Sequence, residues 1–364
     1  MPNIVSSSAK RLVSLDAFRG VTMASMVLVN NNGNSQTTFA PLLHAKWNGW
    51  TFTDLVFPFF LWIVGVAMTL STAKRMERGD RTASLIRHTF LRAAAIFGIG
   101  LLLNGFPYYN LSTLRIPGVL QRIAVCYLLA TLIFLFTTWR GQAAAILACL
   151  ASYWAMMHPW GYDKGSTFSQ YADGLFLTGH MYSATKTWDP EGIVSTLPAI
   201  GTALFGILCG HLLRSGYQMA EKAAWMLVSG NALIFLGLAL DYWQPINKQL
   251  WTVPYTLLMA GLALVVFGSC YWLIDVRGHR GRLTRAFAIL GMNALAVYIL
   301  SGLIARMLGL IKPGGVSIRA MLYQNLFAPL ASPYHASLLW ALANVAVCWL
   351  AAWIMYRRGW FLRV

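Results

Sequence analysis

Long apolar runs recur along the whole sequence and constrain the fold more than any other feature. A run of about 20 apolar residues is the length that an α-helix needs to cross a bilayer. Hydrophobic residues make up 58% of the chain and charged residues only 11%, a composition unlike that of soluble domains. The sequence therefore predicts an all-α, polytopic integral membrane protein with about ten transmembrane helices, forming a single domain over residues 1–364. The ten predicted spans are 14–32, 51–73, 88–104, 117–138, 141–160, 193–213, 222–240, 250–274, 286–308 and 336–356.

The basic residues predict how these spans are oriented. The formal net charge is +17, which in a soluble protein would suggest nucleic acid. Here Lys and Arg gather in alternate short segments, as in cytoplasmic loops of membrane proteins, so we expect no nucleic-acid partner and both termini in the cytoplasm. The N-terminal segment 1–12 is basic and lacks a cleavage site, which predicts a retained first span. The inner basic segments contain Lys10, Arg11, residues 74–81, Arg140, Arg214, Lys222, residues 275–285, Arg357, Arg358 and Arg363.

The outer segments contain the more unusual chemistry. In this topology His44 lies outside, and Asp54 lies in the outer half of the second span. Residues 161–192 form the longest outer loop, which we expect to act as a lid or a substrate platform. Residues 309–335 contain three prolines and a Gly-Gly pair, so they cannot span, but a short interfacial helix is expected over 317–327.

His44 and Asp54 are the first candidates for a functional site. Ionisable groups at the membrane are costly and usually face a cavity or a partner. A neutral histidine is suited to accept a proton near pH 7. The alternative is structural: His44 would be an interfacial residue, and Asp54 a helix-start charge that the helix dipole favours.

Arg122 is a further candidate, because apolar residues follow it and a buried arginine needs an anionic partner. That partner is Asp54, Asp16 or a bound phosphate. Other polar residues at span ends have structural explanations; Asp189, for example, is expected to cap a helix that begins at Pro190.

Known cofactor and metal motifs are missing from the sequence. It contains no phosphate-binding GxxxxGK[ST], no GxGxxG after a strand, no HExxH and no GxSxG. All five cysteines lie in apolar runs without a CxxC pair, so we expect neither a metal nor a disulfide framework. What remains is a histidine, a carboxylate and amides near one membrane face. These groups suit proton abstraction from a nucleophile, followed by transfer of a group to it.

Six segments, in order along nearly the whole chain, resemble the membrane-bound heparan-α-glucosaminide N-acetyltransferases and their bacterial relatives, a branch of the transmembrane acyltransferases. The resemblance implies an enzyme of the bacterial inner membrane that moves acetyl from acetyl-CoA to the amino group of a terminal glucosamine. It also implies contact with membrane lipid, and a homodimer is possible. The matching segments are 11–30, 44–65, 115–127, 189–200, 247–261 and 291–301.

The resemblance also implies residue roles. The family's catalytic histidine, in the motif H-A-x-W-N-G, matches His44, and the aspartate of T-x-x-D-L-V-F-P matches Asp54. Its active-site asparagine resembles Asn30, although the spacing to His44 is longer here, so Asn31 or Asn32 could replace it. The arginine of G-V-L-Q-R matches Arg122. The candidate acetyl-CoA-binding residues are Arg122, Gln121, Trp47, Asn48, Lys248 and Asn293.

The mechanism expected from these residues has acetyl-CoA entering from the cytoplasm, with its pantetheine arm reaching up between helices. His44 acts as general base, or alternatively as a nucleophile that forms an acetyl-imidazole. Asp54 orients the imidazole, and Asn30 or backbone N–H groups hold the thioester oxygen. Two other functions fit the same residues: an amino-sugar transporter with a His/Asp proton relay, and an O-acetyltransferase of an envelope glycan.

Overall fold

A computed structural model describes residues 12–362 of the chain. Within this range the protein is all-helical, with an isolated β-bridge between Gly49 and Asn247 and no β-strand. The predicted fold class is therefore confirmed. The helices are α1 Val13–Asn30, α2 Phe52–Glu77, α3 Thr82–Gly105, α4 Val119–Phe136, α5 Trp139–Met157, α6 Phe168–Phe176, α7 Thr196–Arg214, α8 Met219–Leu240, α9 Val253–Tyr271, α10 Arg282–Met292, α11 Ala294–Leu310, α12 Ile318–Leu322 and α13 Pro333–Arg357.

Seven of the described helices are long and apolar enough to cross a membrane, and the bent pair α10 and α11 would make an eighth. Helices α1 and α5 coincide with two further predicted spans, 14–32 and 141–160. The total of about ten spans and the cytoplasmic termini stay predictions. Lys10, Arg11 and Arg363, on which part of the orientation argument rests, lie outside the described residues.

Helix α2 lies at the centre of the bundle, where it packs against α1, α4, α7 and α9. Small residues allow its close approach to α7. A Cβ atom on Gly65 would overlap the Ala203 carbonyl, and one on Gly206 would overlap the Trp62 carbonyl. Because helices in lipid associate through close packing rather than hydrophobicity, these glycines fix the position of α2.

The start of α2 is held by polar contacts that the sequence makes possible. The Thr51 backbone N–H donates to Asp54 Oδ2 over 3.0 Å, which satisfies a donor at the helix N-terminus. Pro58 has no N–H and cannot donate to the Asp54 carbonyl one turn earlier. The Tyr255 hydroxyl donates to that carbonyl instead, over 2.7 Å. This bond ties α9 to the same turn that contains the Asp54 side chain.

The predicted span 286–308 is not one helix. It bends by 77° between α10 and α11 at Asn293. Asn293 was one of the candidate acetyl-CoA ligands, but its side chain bonds the segment after α13: Nδ2 donates to the Trp360 carbonyl and Oδ1 accepts from the Leu362 N–H. These bonds join the bend to the segment that follows α13.

Two short outer elements complete the fold. The helix expected over 317–327 is present, as α12 followed by a π-helical turn at Tyr323–Phe327, and its interfacial position stays a prediction. Helix α6 was not predicted, because 161–192 has little apolar periodicity over its full length. Thr167 caps α6 by accepting from the Gln170 N–H.

The connections between the helices gather at two ends of the bundle. Segments 31–51, 106–118, 158–195 and 241–252 meet at one end, around a common cavity. The other end carries segments 78–81, 137–138, 215–218 and 277–281. We call these the outer and inner ends, following the predicted orientation.

Candidate active site

A cavity of about 630 Å³ opens at the outer end, and all four outer segments contribute to its wall. Its volume lies in the range of small-molecule sites. The predicted residues His44, Trp47, Asn30, Asp54 and Lys248 line it, together with Arg115, Lys164, Trp188 and Glu191. The long loop 161–192 therefore forms one wall of the cavity.

His44 and Asp54 form a hydrogen-bonded pair in this cavity, with 2.7 Å between His44 Nδ1 and Asp54 Oδ1. The Asp54 side chain is only 1% exposed, whereas that of His44 is 52% exposed. In the tautomer with the proton on Nδ1, the Asp54 carboxylate accepts that proton and Nε2 is the basic nitrogen. Asp54 Oδ2 accepts from the backbone N–H groups of Ala45 and Thr51, so the carboxylate is held rigidly.

Lys248 joins this pair from a segment 204 residues away in the chain. Its Nζ lies 2.9 Å from His44 Nδ1 and 3.5 Å from Asp54 Oδ1. Burial lowers the pKa of Lys248, although the nearby carboxylates of Asp54 and Glu191 act in the opposite direction. Lys248 was predicted as an acetyl-CoA ligand, and the structure places it beside the candidate base.

The loop that positions Lys248 is built around Asn247. Its Oδ1 accepts from the Leu250 N–H, and its backbone N–H donates to Thr252 Oγ1. Its Nδ2 donates to Asn48 Oδ1 over 3.2 Å, so Asn48 supports this loop and does not line the cavity. Trp47 does line the cavity, with its indole N–H bonded to the Tyr162 carbonyl.

The three candidate asparagines at the end of α1 differ in placement. Of the three, only Asn30 lines the cavity. Asn31 is buried and donates to the Val27 carbonyl of its own helix. Asn32 offers its carbonyl to Arg319. Placement therefore favours Asn30 over Asn31 and Asn32.

Arg122 and Gln121 lie behind the walls of the cavity. Arg122 Nη2 donates to the Gly192 carbonyl and to Ser195 Oγ, and the guanidinium lies 5.1 Å from the centre of the Trp251 ring. Among residues 12–362 no carboxylate pairs with Arg122, so the predicted Asp54 or Asp16 partner is wrong. The Arg122 guanidinium is instead held by hydrogen bonds to the loop before α7 and by the face of the Trp251 indole. Gln121 packs against Gly100 and Gly118.

A second polar cluster in the cavity wall was not predicted. Arg115 bonds Asp189 twice, at 2.8 Å and 2.6 Å, and Glu191 once, at 2.5 Å. Burial alone would lower the pKa of Arg115, but the two carboxylates raise it on balance. The predicted role of Asp189 as a helix cap is wrong, because α7 begins only at Thr196. The sequence did contain a signal for this cluster, since Asp189 and Glu191 lie close together in a segment predicted on the same membrane face as His44.

A second cavity, of about 280 Å³, lies among α2, α3, α4 and the α10–α11 bend. Most of its lining is apolar. Its charged lining residues are Arg19 and Arg92, and Arg92 lies 5.2 Å from the centre of the Tyr127 ring. We call it the inner cavity and the first one the outer cavity.

The two cavities end within one helical turn of each other. On α4, Val119 lines the outer cavity and Leu120 lines the inner one. On α11, Tyr298 lines the outer cavity and Leu295 lines the inner one. On α2 the division falls between Phe57 and Phe60. Because one turn rises about 5.4 Å, only a thin apolar layer separates them.

Comparisons with known proteins show which family the chain resembles. The family model described as "Heparan-alpha-glucosaminide N-acetyltransferase, catalytic" matches residues 11–244. The heparan-alpha-glucosaminide N-acetyltransferase of Mus musculus is 30% identical, over 82% of this chain and 54% of the mouse protein. That of Homo sapiens is 28% identical, over 81% of this chain and 53% of the human protein. The chain thus spans about half the length of these curated relatives.

Proposed function

We propose, from the premise that the chain belongs to the heparan-α-glucosaminide N-acetyltransferase catalytic family, that it is a membrane-bound, acetyl-CoA-dependent N-acetyltransferase. The acceptor is the amino group of a glucosamine-type sugar bound in the outer cavity. We place the protein in a bacterial inner membrane, with the outer cavity facing the periplasm. The observation that carries the proposal is the His44–Asp54 pair, which lies in a cavity open to the acceptor.

His44 acts as the general base. An amine must lose a proton to become an amide, and Nε2 is the ring nitrogen that Asp54 does not engage; Lys248 Nζ lies 3.3 Å from it. Asp54 holds the ring in one tautomer and stabilises the imidazolium that forms. Its burial suits this role, because a fixed and desolvated carboxylate does not reorganise during the reaction.

The inner cavity is the proposed route of the thioester arm. Acetyl-CoA supplies the acetyl group as an activated thioester from the inner end. Two features of the lining fit this molecule: apolar side chains suit its long pantetheine arm, and Arg92 suits its phosphates. Arg19, the other arginine of the lining, pairs with Asp16 over 3.4 Å. The thin layer at Phe57, Phe60 and Leu295 is where the arm enters the outer cavity, so that both substrates meet beside His44.

The acetyl group passes directly from the thioester to the amine. The unprotonated amine forms a bond to the thioester carbonyl carbon, and one N–H proton passes to His44 Nε2. Asn30, at the end of α1, donates its amide N–H to the oxygen that becomes negative. The C–S bond breaks, and the leaving CoA thiolate takes the proton from the imidazolium. The alternative, in which His44 first becomes acetylated, is tested by rapid quenching: acetyl-His44 trapped during turnover would replace the direct route.

Proteoliposomes that hold glucosamine inside, with acetyl-CoA added outside, test the proposal. We expect N-acetylglucosamine in the lumen and free CoA outside, formed by molecules with the inner end outward. Unmodified glucosamine released across the membrane, without acetylation, would contradict the proposal and indicate a transporter. Acetylation of a sugar hydroxyl but not of the amine would contradict it too, and would indicate an O-acetyltransferase.

A further inference from the structure

The outer cavity contains a second carboxylate whose hydrogen-bonding capacity is not used up. The Glu191 side chain lines the cavity and is 12% exposed. Its Oε2 accepts from Arg115 Nη2 over 2.5 Å. Within residues 12–362 no hydrogen bond reaches Oε1. Because a carboxylate oxygen can accept two hydrogen bonds, Oε1 is available to a ligand.

Glu191 is the less compensated of two carboxylates that share one guanidinium. Arg115 pairs with both Asp189 and Glu191. Asp189 is fully buried and takes two of the three bonds from Arg115. A second cation near Glu191, the Lys248 ammonium, lies 3.5 Å from Asp54 Oδ1 and pairs with that acid. Glu191 therefore keeps one oxygen in the cavity wall, where a partly desolvated carboxylate attracts a cation.

Asp54, the other acid that lines the outer cavity, cannot serve the same purpose. His44 occupies its Oδ1, and Oδ2 accepts from Ala45, the Thr51 N–H and the Thr51 hydroxyl. The acceptor sugar, in contrast, arrives mainly as an ammonium ion with three donors. A carboxylate other than Asp54, which orients His44, must therefore bind this ammonium group.

We propose that Glu191 Oε1 binds the ammonium group of the acceptor, and that this contact makes the site prefer an amino sugar to the same sugar with a hydroxyl. Arg115 and Asp189 act as positioning residues, since they fix one oxygen of Glu191 and direct the other to the cavity. After the ammonium loses its first proton to solvent, the neutral amine remains near His44. This inference rests on the proposed function and adds the group that selects the acceptor.

The test compares glucosamine with glucose, which has a hydroxyl where glucosamine has the amine. In Glu191→Gln we expect KM for glucosamine to rise about tenfold or more, since hydrogen bonds to charged groups are the strong ones. The inhibition constant of glucose and KM for acetyl-CoA should not change. Glu191→Asp, which keeps the charge, should retain part of the preference. The matched control is Glu77→Gln, an exposed glutamate at the inner end, which should behave as wild type.

Binding measured without turnover separates this inference from the proposed function. In a His44→Gln background, thermal-shift titration should show glucosamine binding more tightly than glucose, and adding Glu191→Gln should remove the difference. An unchanged preference in Glu191→Gln would overturn the inference. An equal loss of glucose and glucosamine binding would also overturn it, because Glu191 would then only support the cavity. Failure of wild type to acetylate glucosamine would instead refute the proposed function, and the binding comparison would still decide the role of Glu191.

Discussion

The outer and inner cavities lie one helical turn apart, yet their linings have opposite character. The outer cavity is about twice as large and carries charges of both signs on segments between helices. The inner cavity has two arginines, and apolar helix faces form most of the rest. Ionised groups are costly in hydrocarbon and cheaper near water. This difference fits the proposed function, in which the proton is transferred in the outer cavity and the uncharged pantetheine arm lies in the inner one.

Replacing His44, the proposed base, should lower the activity more than any other change. A small effect would contradict the distinction between the two cavities. We expect His44→Gln to lower kcat/KM for acetylation by roughly 10²- to 10⁴-fold, the usual contribution of a general base. The measurement is the rate of N-acetylglucosamine formation by purified protein. The control is His335→Gln, since His335 is exposed and its ring bonds Ser332. A His44→Gln enzyme with wild-type turnover would show that the outer cavity is not where protons are transferred.

Filling the inner cavity should affect one substrate and not the other. Ala67 lines that cavity, so Ala67→Trp places a bulky ring in the route proposed for the thioester arm. We expect KM for acetyl-CoA to rise roughly 10- to 100-fold, a loss of about 1.4–2.8 kcal/mol of binding free energy, because the ring occupies space that the arm needs, while glucosamine binding stays the same.

The matched control for this change is Ala94→Trp, on an exposed face of α3 that lines a shallow apolar groove. It should leave both constants close to those of wild type. Equal weakening of acetyl-CoA and glucosamine binding by Ala67→Trp would mean that the two cavities are not separate sites.

The smallest effect expected is a shift in the titration of Lys248. Burial lowers its pKa below the ordinary 10.5, so the side chain becomes neutral, and reactive toward amine reagents, at a lower pH. Labelling followed by mass spectrometry at increasing pH should place its half-maximal reactivity below 10.5. In Asp54→Asn the midpoint should fall further, because the Asp54 carboxylate favours the charged lysine. A midpoint at or above 10.5 would show that Lys248 is not buried beside the pair.

Much of the helical framework was predictable because its signal is local. The predicted spans 51–73 and 336–356 correspond to α2 and α13 within a few residues. Length and apolar composition decide whether a segment can cross a membrane, and both are properties of the segment itself. The contact between His44 and Asp54 was also predictable, since only ten residues separate them and Asp54 lies in the first turn of a helix.

The break at Asn293 shows the limit of such local signals. The run 286–308 is mostly apolar and contains no proline, so its composition does not predict a 77° bend. At the bend the Asn293 side chain bonds residues 360 and 362, far along the chain. Likewise, Arg122 was expected to meet Asp54, Asp16 or a bound phosphate, and its hydrogen-bond partners are a carbonyl and a hydroxyl from the segment just before α7.

The sequence by itself determined that this chain is a helical membrane protein, and it singled out one histidine and one aspartate. Only the tertiary structure decided that Lys248, Arg115 and Glu191 share a cavity with them, because these residues come from three separate loops far along the chain from His44 and Asp54. The physical reason is that the apolar period of a helix records which segments are buried, whereas the meeting of loop side chains depends on how helices such as α2 and α7 pack.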